Sequence, residues 1–337
     1  MILSLDGGGI RGAATARFLS RIDETLRRQH KTNIRNCVDL FAGTSTGSII
    51  ALGLAARKLS MRQIDGLYSV ANAKVIFAEN TGWFEIDGVN APKYEGGGKT
   101  TLLKRKLGTR TTVDSVEPGK HILVVSYSVE KRVPLVIKST EPAHHGLLAY
   151  EVADASSAAP TYFPTVPVEI PTGSGDDQWL IDGGVVANNP TVCAISEVRK
   201  AWPEVKMDDV RVLSVGTGSM TRKINGPDSR SWGSIGWFAQ GHILDVLTDE
   251  RIVAYQAKNI LSDGHYIRVN AELRRQPGIN NPPDDAMDDI SESNIKKLRA
   301  MGDFWFEKYG QHAVTLLLDK YSGPSLDRID PETGNPR

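Results

Sequence analysis

Three short glycine-flanked motifs hold the side chains best suited to chemistry. Asp6-Gly7-Gly8-Gly9-Ile10-Arg11-Gly12 follows the apolar run Ile2–Leu5, and Gly43-Thr44-Ser45-Thr46-Gly47 follows Cys37–Ala42. Asp182-Gly183-Gly184 follows Trp179-Leu180-Ile181. The second motif has the G-x-S-x-G spacing in which a serine sits on a strained strand-to-helix turn with its hydroxyl exposed. Gly43 and Gly47 let that turn pack tightly. The first motif can aim successive backbone N–H groups at one point beside a helix N-terminus, as a developing oxyanion requires. A nucleophile and an anion cradle this near in sequence point to acyl transfer.

Each motif has a competing reading. Gly7, Gly9 and Gly12 also satisfy G-x-G-x-x-G, but a dinucleotide site wants an acidic residue at the end of the next strand. That strand ends in Phe41-Ala42-Gly43, with Asp39 near its start, and a second glycine turn lies where a ribose would sit. Gly98-Lys99-Thr100 lacks the upstream glycine of a Walker A loop, since Lys93 occupies that place. Ser45 could serve only as a helix N-cap, and the D-G-G turn could be an Asx turn. A serine triad could be written with Asp182 and His242, His265 or His312, yet none of these histidines lies in a catalytic-loop motif. Asp182, at a strand end, is the better candidate base. Desolvation by glycines and apolar strands would raise its pKa towards that task.

These groups need strands to hold them. Ile2–Leu5 reads as a strand, followed by a turn and a helix through about Gln29 with Ala16, Leu19, Ile22 and Leu26 on one face. Val38–Ala42 reads as a second strand, and Ser48 to about Lys58 as a buried helix of small and apolar residues. Residues 60–76 predict an amphipathic helix. Glu79–Lys99 breaks the pattern with glycines, Pro92, Trp83, Phe84 and Tyr94, and residues 79–110 are the candidate lid. Strand signals return at Ile122–Val129, Val133–Ile137, Trp179–Ile181 and Val210–Val215, the last running into Gly216-Thr217-Gly218. Helices are expected over 243–261 and 291–309. The alternation predicts one α/β domain over 1–318 with a largely parallel sheet. Residues 319–337, rich in Gly, Pro, Asp and Ser, are expected as a frayed tail.

The 337 residues carry 40 basic and 40 acidic side chains, so no whole-chain field draws the protein to a nucleic acid polymer. The local run Lys99, Lys104, Arg105, Lys106 and Arg110 reads as a solvated helix face. Cys37 and Cys193 make no disulfide framework and read as reduced core thiols. With no signal-peptide pattern and no run long enough to span a bilayer, the expected location is the cytoplasm, with peripheral membrane contact.

The three motifs, in this order, resemble the patatin-like phospholipase family. Ala155-Ser156-Ser157-Ala158-Ala159-Pro160 before Phe163-Pro164, and Asn188-Asn189-Pro190, strengthen the likeness. So do Ser214–Gly218 and Met287-Asp288-Asp289 with Asn294. The resemblance implies a three-layer α/β/α fold with Ser45 as nucleophile and Asp182 as base of a Ser–Asp dyad. It also implies an oxyanion hole from Gly7, Gly8, Gly9 and Arg11, and no metal or organic cofactor. The implied activity is hydrolysis of fatty-acyl esters of membrane phospholipids, at the inner face of the cell membrane. Trp83-Phe84 and Trp232, Trp237 and Phe238 are expected to line or cover an acyl channel. The patatin-only layout resembles bacterial members, some of them anti-phage effectors switched on by a cyclic di- or trinucleotide; a homo-oligomer stays open.

Overall fold

Successive residues of the central strands divide between two apolar cores. The computed structural model describes residues 1–80, 91–219, 224–239, 246 and 248–337. In β1 (Ile2–Leu5), β2 (Leu40–Thr44) and β3 (His121–Ser128), Leu3, Phe41, Ile122 and Val124 face one core. Ile2, Leu40, Leu123 and Val125 face the other. Period-two alternation on strands buried at both faces gives helix layers on either side.

On the first side lie α1 (Gly12–His30), α2 (Thr46–Ala55) and the long C-terminal helix Glu292–Leu317. On the second lie the helices Thr191–Ala201 and Arg251–Ile260. The described strands form one sheet in the order β5-β6-β3-β2-β1-β7-β8, with β4 (Val133–Lys138) also on β3. β1, β2, β3, β7 (Val212–Val215) and β8 (Tyr266–Val269) run parallel. β6 (Asp177–Asp182) runs antiparallel on β3, and β5 (Val166–Glu169) antiparallel on β6. The expected α/β class with a largely parallel sheet is thus what the chain adopts.

Several elements differ from the sequence reading. The single helix expected over 60–76 is two, α3 (Met61–Leu67) and α4 (Val70–Ile76), because the Ser69 side chain caps the N–H of Asn72 and restarts the helix. The expected lid segment 79–110 contains a regular helix, α5 (Gly97–Leu107), whose Lys99, Leu102, Leu103 and Leu107 are buried. Residues 81–90 of that segment, with Trp83 and Phe84, lie outside the described residues. The helix expected over 243–261 is described as helix from Arg251; residues 240–245 and 247 lie outside.

The tail is a correction. Leu326 pairs with β8, donating to the carbonyl of Tyr266 and accepting from Arg268 N–H, and Ile329 is fully buried. Tyr309 Oη also donates to the carbonyl of Asp327 at 2.9 Å. Polar composition suggested fraying, but two apolar side chains and a strand edge suffice to dock the segment.

Candidate active site

Strand register brings Ser45 and Asp182 to one level. Thr44, the last residue of β2, pairs with Val125, so Ser45 stands in the row of Ser126. On the same edge of β3, whose opposite edge carries β4, Ser126 pairs with Asp182. β3 overshoots β2, and β6 descends antiparallel on that overshoot and stops at the row of Ser45. The ends of β2 and β6 therefore meet on one edge of β3, each one strand spacing, about 5 Å, from it, and the two inward side chains share the gap between them. The strand-end placement expected for Asp182 holds, but on an antiparallel strand.

The serine turn is strained. Ser45 has φ 54° and ψ −124°, outside the regions non-glycine residues normally occupy. Its N–H donates to Ser156 Oγ at 3.0 Å, and Ser156 Oγ–H donates to the carbonyl of Val125 at 2.7 Å. Ser48 Oγ holds the Ser45 carbonyl at 2.6 Å. Gly43 and Gly47 lie against each other, and a Cβ on Gly43 would meet the backbone of Gly47 and Ser48. Ser45 is thus held by its backbone while its side chain faces a cavity, which goes beyond a simple N-cap.

Asp182 is buried, and burial pushes its carboxyl up to about 6. The Ser45 hydroxyl, the Gly184 N–H at 2.7 Å and the positive charge of Lys99 work against that rise. Lys99 is a residue the sequence reading placed on a solvated face. It is instead buried, with Nζ on Asp154 Oδ1 at 3.0 Å and on the carbonyls of Asp154 and Ser157, both at 2.9 Å. Its ammonium also lies 4.4 Å from the centroid of the Phe163 ring. The supporting motif Ala155–Pro160 now has a physical role: Ser156 fixes the serine turn and Ser157 receives Lys99.

Of the four N–H groups expected to face the cavity, those of Gly7 and Arg11 are spent on backbone carbonyls. Gly8 and Gly9 have φ of 156° and 57°, and a Cβ on either would strike Thr217 or Met287. Among the described residues their N–H groups have no backbone acceptor, and Gly9 lines the cavity with Ser45. The expectation for Gly7 is corrected, because its N–H is spent on the carbonyl of Asn188 at 3.1 Å. Arg11 is buried, and its Nε donates to the Gly8 carbonyl at 3.3 Å, pinning the loop from behind. Asp6 anchors the loop's start through a two-pronged ion pair with the fully buried Arg268, which also holds Glu250 at 2.8 Å. The Met287 carbonyl accepts Ile10 N–H at 2.9 Å, and Asp288 is held by Lys93 and Tyr94, each at 2.6 Å.

Ser45, Asp182, Gly9 and Lys99 share a cavity of about 820 Å³, open mouth included. Ile49, Leu67, Ile76, Phe77, Leu102 and Leu103, from α2 to α5, give it an apolar wall suited to an acyl chain. Of the expected aromatics, Trp83 and Phe84 lie outside the described residues, and Trp232 and Trp237 do not line it. Trp232 and Trp237 pack edge-on against each other, ring centroids 5.6 Å apart, and the Phe238 side chain lies outside the described residues. Phe77, Tyr162 and Phe163 do line it. No described histidine lines the cavity. His265 precedes β8 at the opposite sheet edge, His312 packs on Tyr321, and His242 lies outside the described residues.

The family model described as patatin-like phospholipase matches residues 3–195, the stretch containing the glycine loop, Ser45, Lys99 and Asp182. The chain belongs to the patatin-like phospholipase family. Its apolar cavity and buried hydroxyl–carboxyl pair suit the lipid acyl hydrolase activity of patatin-like phospholipases. Patatin-like protein 2 of Oryza sativa subsp. indica is 28% identical over 99% of this chain and 86% of its own length. A cGAMP-activated phospholipase of Escherichia coli strain TW11681 is 34% identical over 64% of this chain and 61% of its own. A cGAMP-activated phospholipase of Vibrio cholerae is 32% identical over 64% of this chain and 63% of its own.

Proposed function

We propose that the protein hydrolyses fatty-acyl esters of membrane phospholipids through a Ser45–Asp182 dyad. The observation that carries the reading is a serine on a strained turn, sharing an apolar cavity with a buried carboxyl group whose pKa is raised to about 6. Asp182 takes the Ser45 proton as Oγ attacks the ester carbonyl. The N–H groups of Gly8 and Gly9 receive the tetrahedral oxyanion. The protonated Asp182 then gives its proton to the departing alcohol, leaving an acyl-serine. Water, deprotonated by Asp182, attacks that ester, and fatty acid leaves as Ser45 regains its proton.

A fluorophosphonate probe should label the wild type and not Ser45→Ala, with Asp182→Asn labelled at least about 100-fold more slowly. Equal labelling of wild type and Ser45→Ala would falsify the assignment. The likeness to two cGAMP-activated phospholipases supports a second element of the proposal, that a cyclic dinucleotide raises the rate. Fatty acid released from phospholipid vesicles, measured by mass spectrometry with and without cGAMP, tests it; identical rates remove the activator.

A further inference from the structure

The overall charge balance conceals a one-sided surface beside the cavity. From Gly96 to Val113 the sequence has no carboxylate and five cations, Lys99, Lys104, Arg105, Lys106 and Arg110. Lys99 is consumed by Asp154 inside. Lys104, Arg105 and Arg110 are exposed, as are Arg57 and Lys58 just past α2. The two groups adjoin: a Cβ placed on Gly108 would lie 3.3 Å from Arg57 Cζ, and Arg57, Lys58 and Arg110 line one shallow basin. Lys106 continues the surface to the wall of the cavity holding Ser45 and Asp182.

Helix ends do not account for so much charge. The C-termini of α2 and α5 meet here, each worth about half a negative charge. Glu117 reaches only Lys58, at 3.8 Å. Against these stand six cations, and Arg57, Arg105 and Arg110 hold no carboxylate among the described residues.

We propose that this face, formed by the C-terminal half of α5 with Arg57, Lys58 and Arg110, docks the protein on anionic phospholipid bilayers. The proposal rests on the phospholipid reading above and deepens it: docking there, about 15 Å along α2 from Ser45, brings the cavity wall at Lys106 to the headgroups and favours membranes rich in anionic lipid. Each Lys or Arg near an anionic leaflet strengthens attachment about fivefold, and the effect fades within a Debye length.

The test is co-sedimentation of the full chain with vesicles of phosphatidylcholine alone or mixed with phosphatidylglycerol. Wild type and Ser45→Ala should both partition at least about 10-fold better onto the mixed vesicles, and lose that preference at about 1 M salt. Arg57→Gln/Arg105→Gln/Arg110→Gln should lose about 100-fold in partition while hydrolysing a soluble short-chain ester within about twofold of wild type. Should the triple variant misfold, Arg110→Gln alone should lose about fivefold. Equal partition on both vesicle types, unchanged partition of the variants, or displacement from anionic vesicles by equimolar duplex RNA would overturn the proposal. Partition of Ser45→Ala needs no turnover, so failure of the hydrolase reading would appear separately, as a wild type without ester hydrolysis.

Discussion

Ser156 Oγ receives the Ser45 N–H at 3.0 Å and gives its own proton to the Val125 carbonyl at 2.7 Å. One hydroxyl thus ties the strained turn to β3, the strand against which both β2 and β6 pair. Ser156→Ala leaves a buried N–H and carbonyl each short of a partner, at about 1–3 kcal/mol of stability. The turn relaxes, and misplacing a nucleophile by about 1 Å costs up to about 100-fold in rate. The expected outcome is a kcat reduced about 10- to 100-fold with KM for a soluble ester nearly unchanged. An unchanged kcat would mean that the turn holds itself.

The raised pKa of Asp182 has two consequences of opposite sense. Catalysis needs the carboxylate, so kcat/KM should fall on acidification with a midpoint near pH 6. Stability runs the other way. The folded pKa lies above the unfolded value of 3.8, so the folded state binds the extra proton between these values and loses stability as pH rises through them. Asp182→Asn should therefore be more stable than wild type at pH 7.5, by roughly 1–3 kcal/mol, with the gap closing towards pH 4. Thermal melts across that range decide it, and a variant less stable than wild type at pH 7.5 counts against burial as the cause.

The residues proposed to react were legible because their neighbours are constrained locally. Glycines at 43, 47, 8 and 9 mark turns that a Cβ would block, and strand alternation marks the sheet that carries them. What long-range contacts decide was not legible. Gly7 loses its N–H to a carbonyl at residue 188, and Lys99 loses its solvent to Asp154. A lysine among basic neighbours gives no sign of burial until the distant carboxylate is placed. The descent of β6 against its neighbours was equally hidden, since the run Trp179–Ile181 is the same whichever way the strand lies.

Lys99 links packing to chemistry, and its removal should show both. Lys99→Met leaves Asp154 as a buried charge without its cation, a defect worth about 3–5 kcal/mol. It also removes a charge that lowers the Asp182 pKa. The expected result is a lower melting temperature together with an acid limb moved to higher pH. Lys99→Met/Asp154→Leu should recover much of the stability without restoring the limb. A limb that stays put while stability falls would confine Lys99 to a structural role.

The apolar wall makes a separable prediction about acyl length. Leu103 is buried, on the cavity side of α5, and lines the space with Ser45 but touches no group assigned to proton transfer. Leu103→Phe adds volume where an acyl chain would lie and leaves the serine turn and glycine loop in place. Overpacking costs about 1–3 kcal/mol if the space is already filled, so a cavity open to substrate should show a much smaller loss. With a series of p-nitrophenyl esters, the variant should keep its rate on butyrate and lose about 10-fold or more on palmitate, as a shortened pocket discriminates by about 1–3 kcal/mol. Parallel losses on both esters would mean that acyl chains enter by another route.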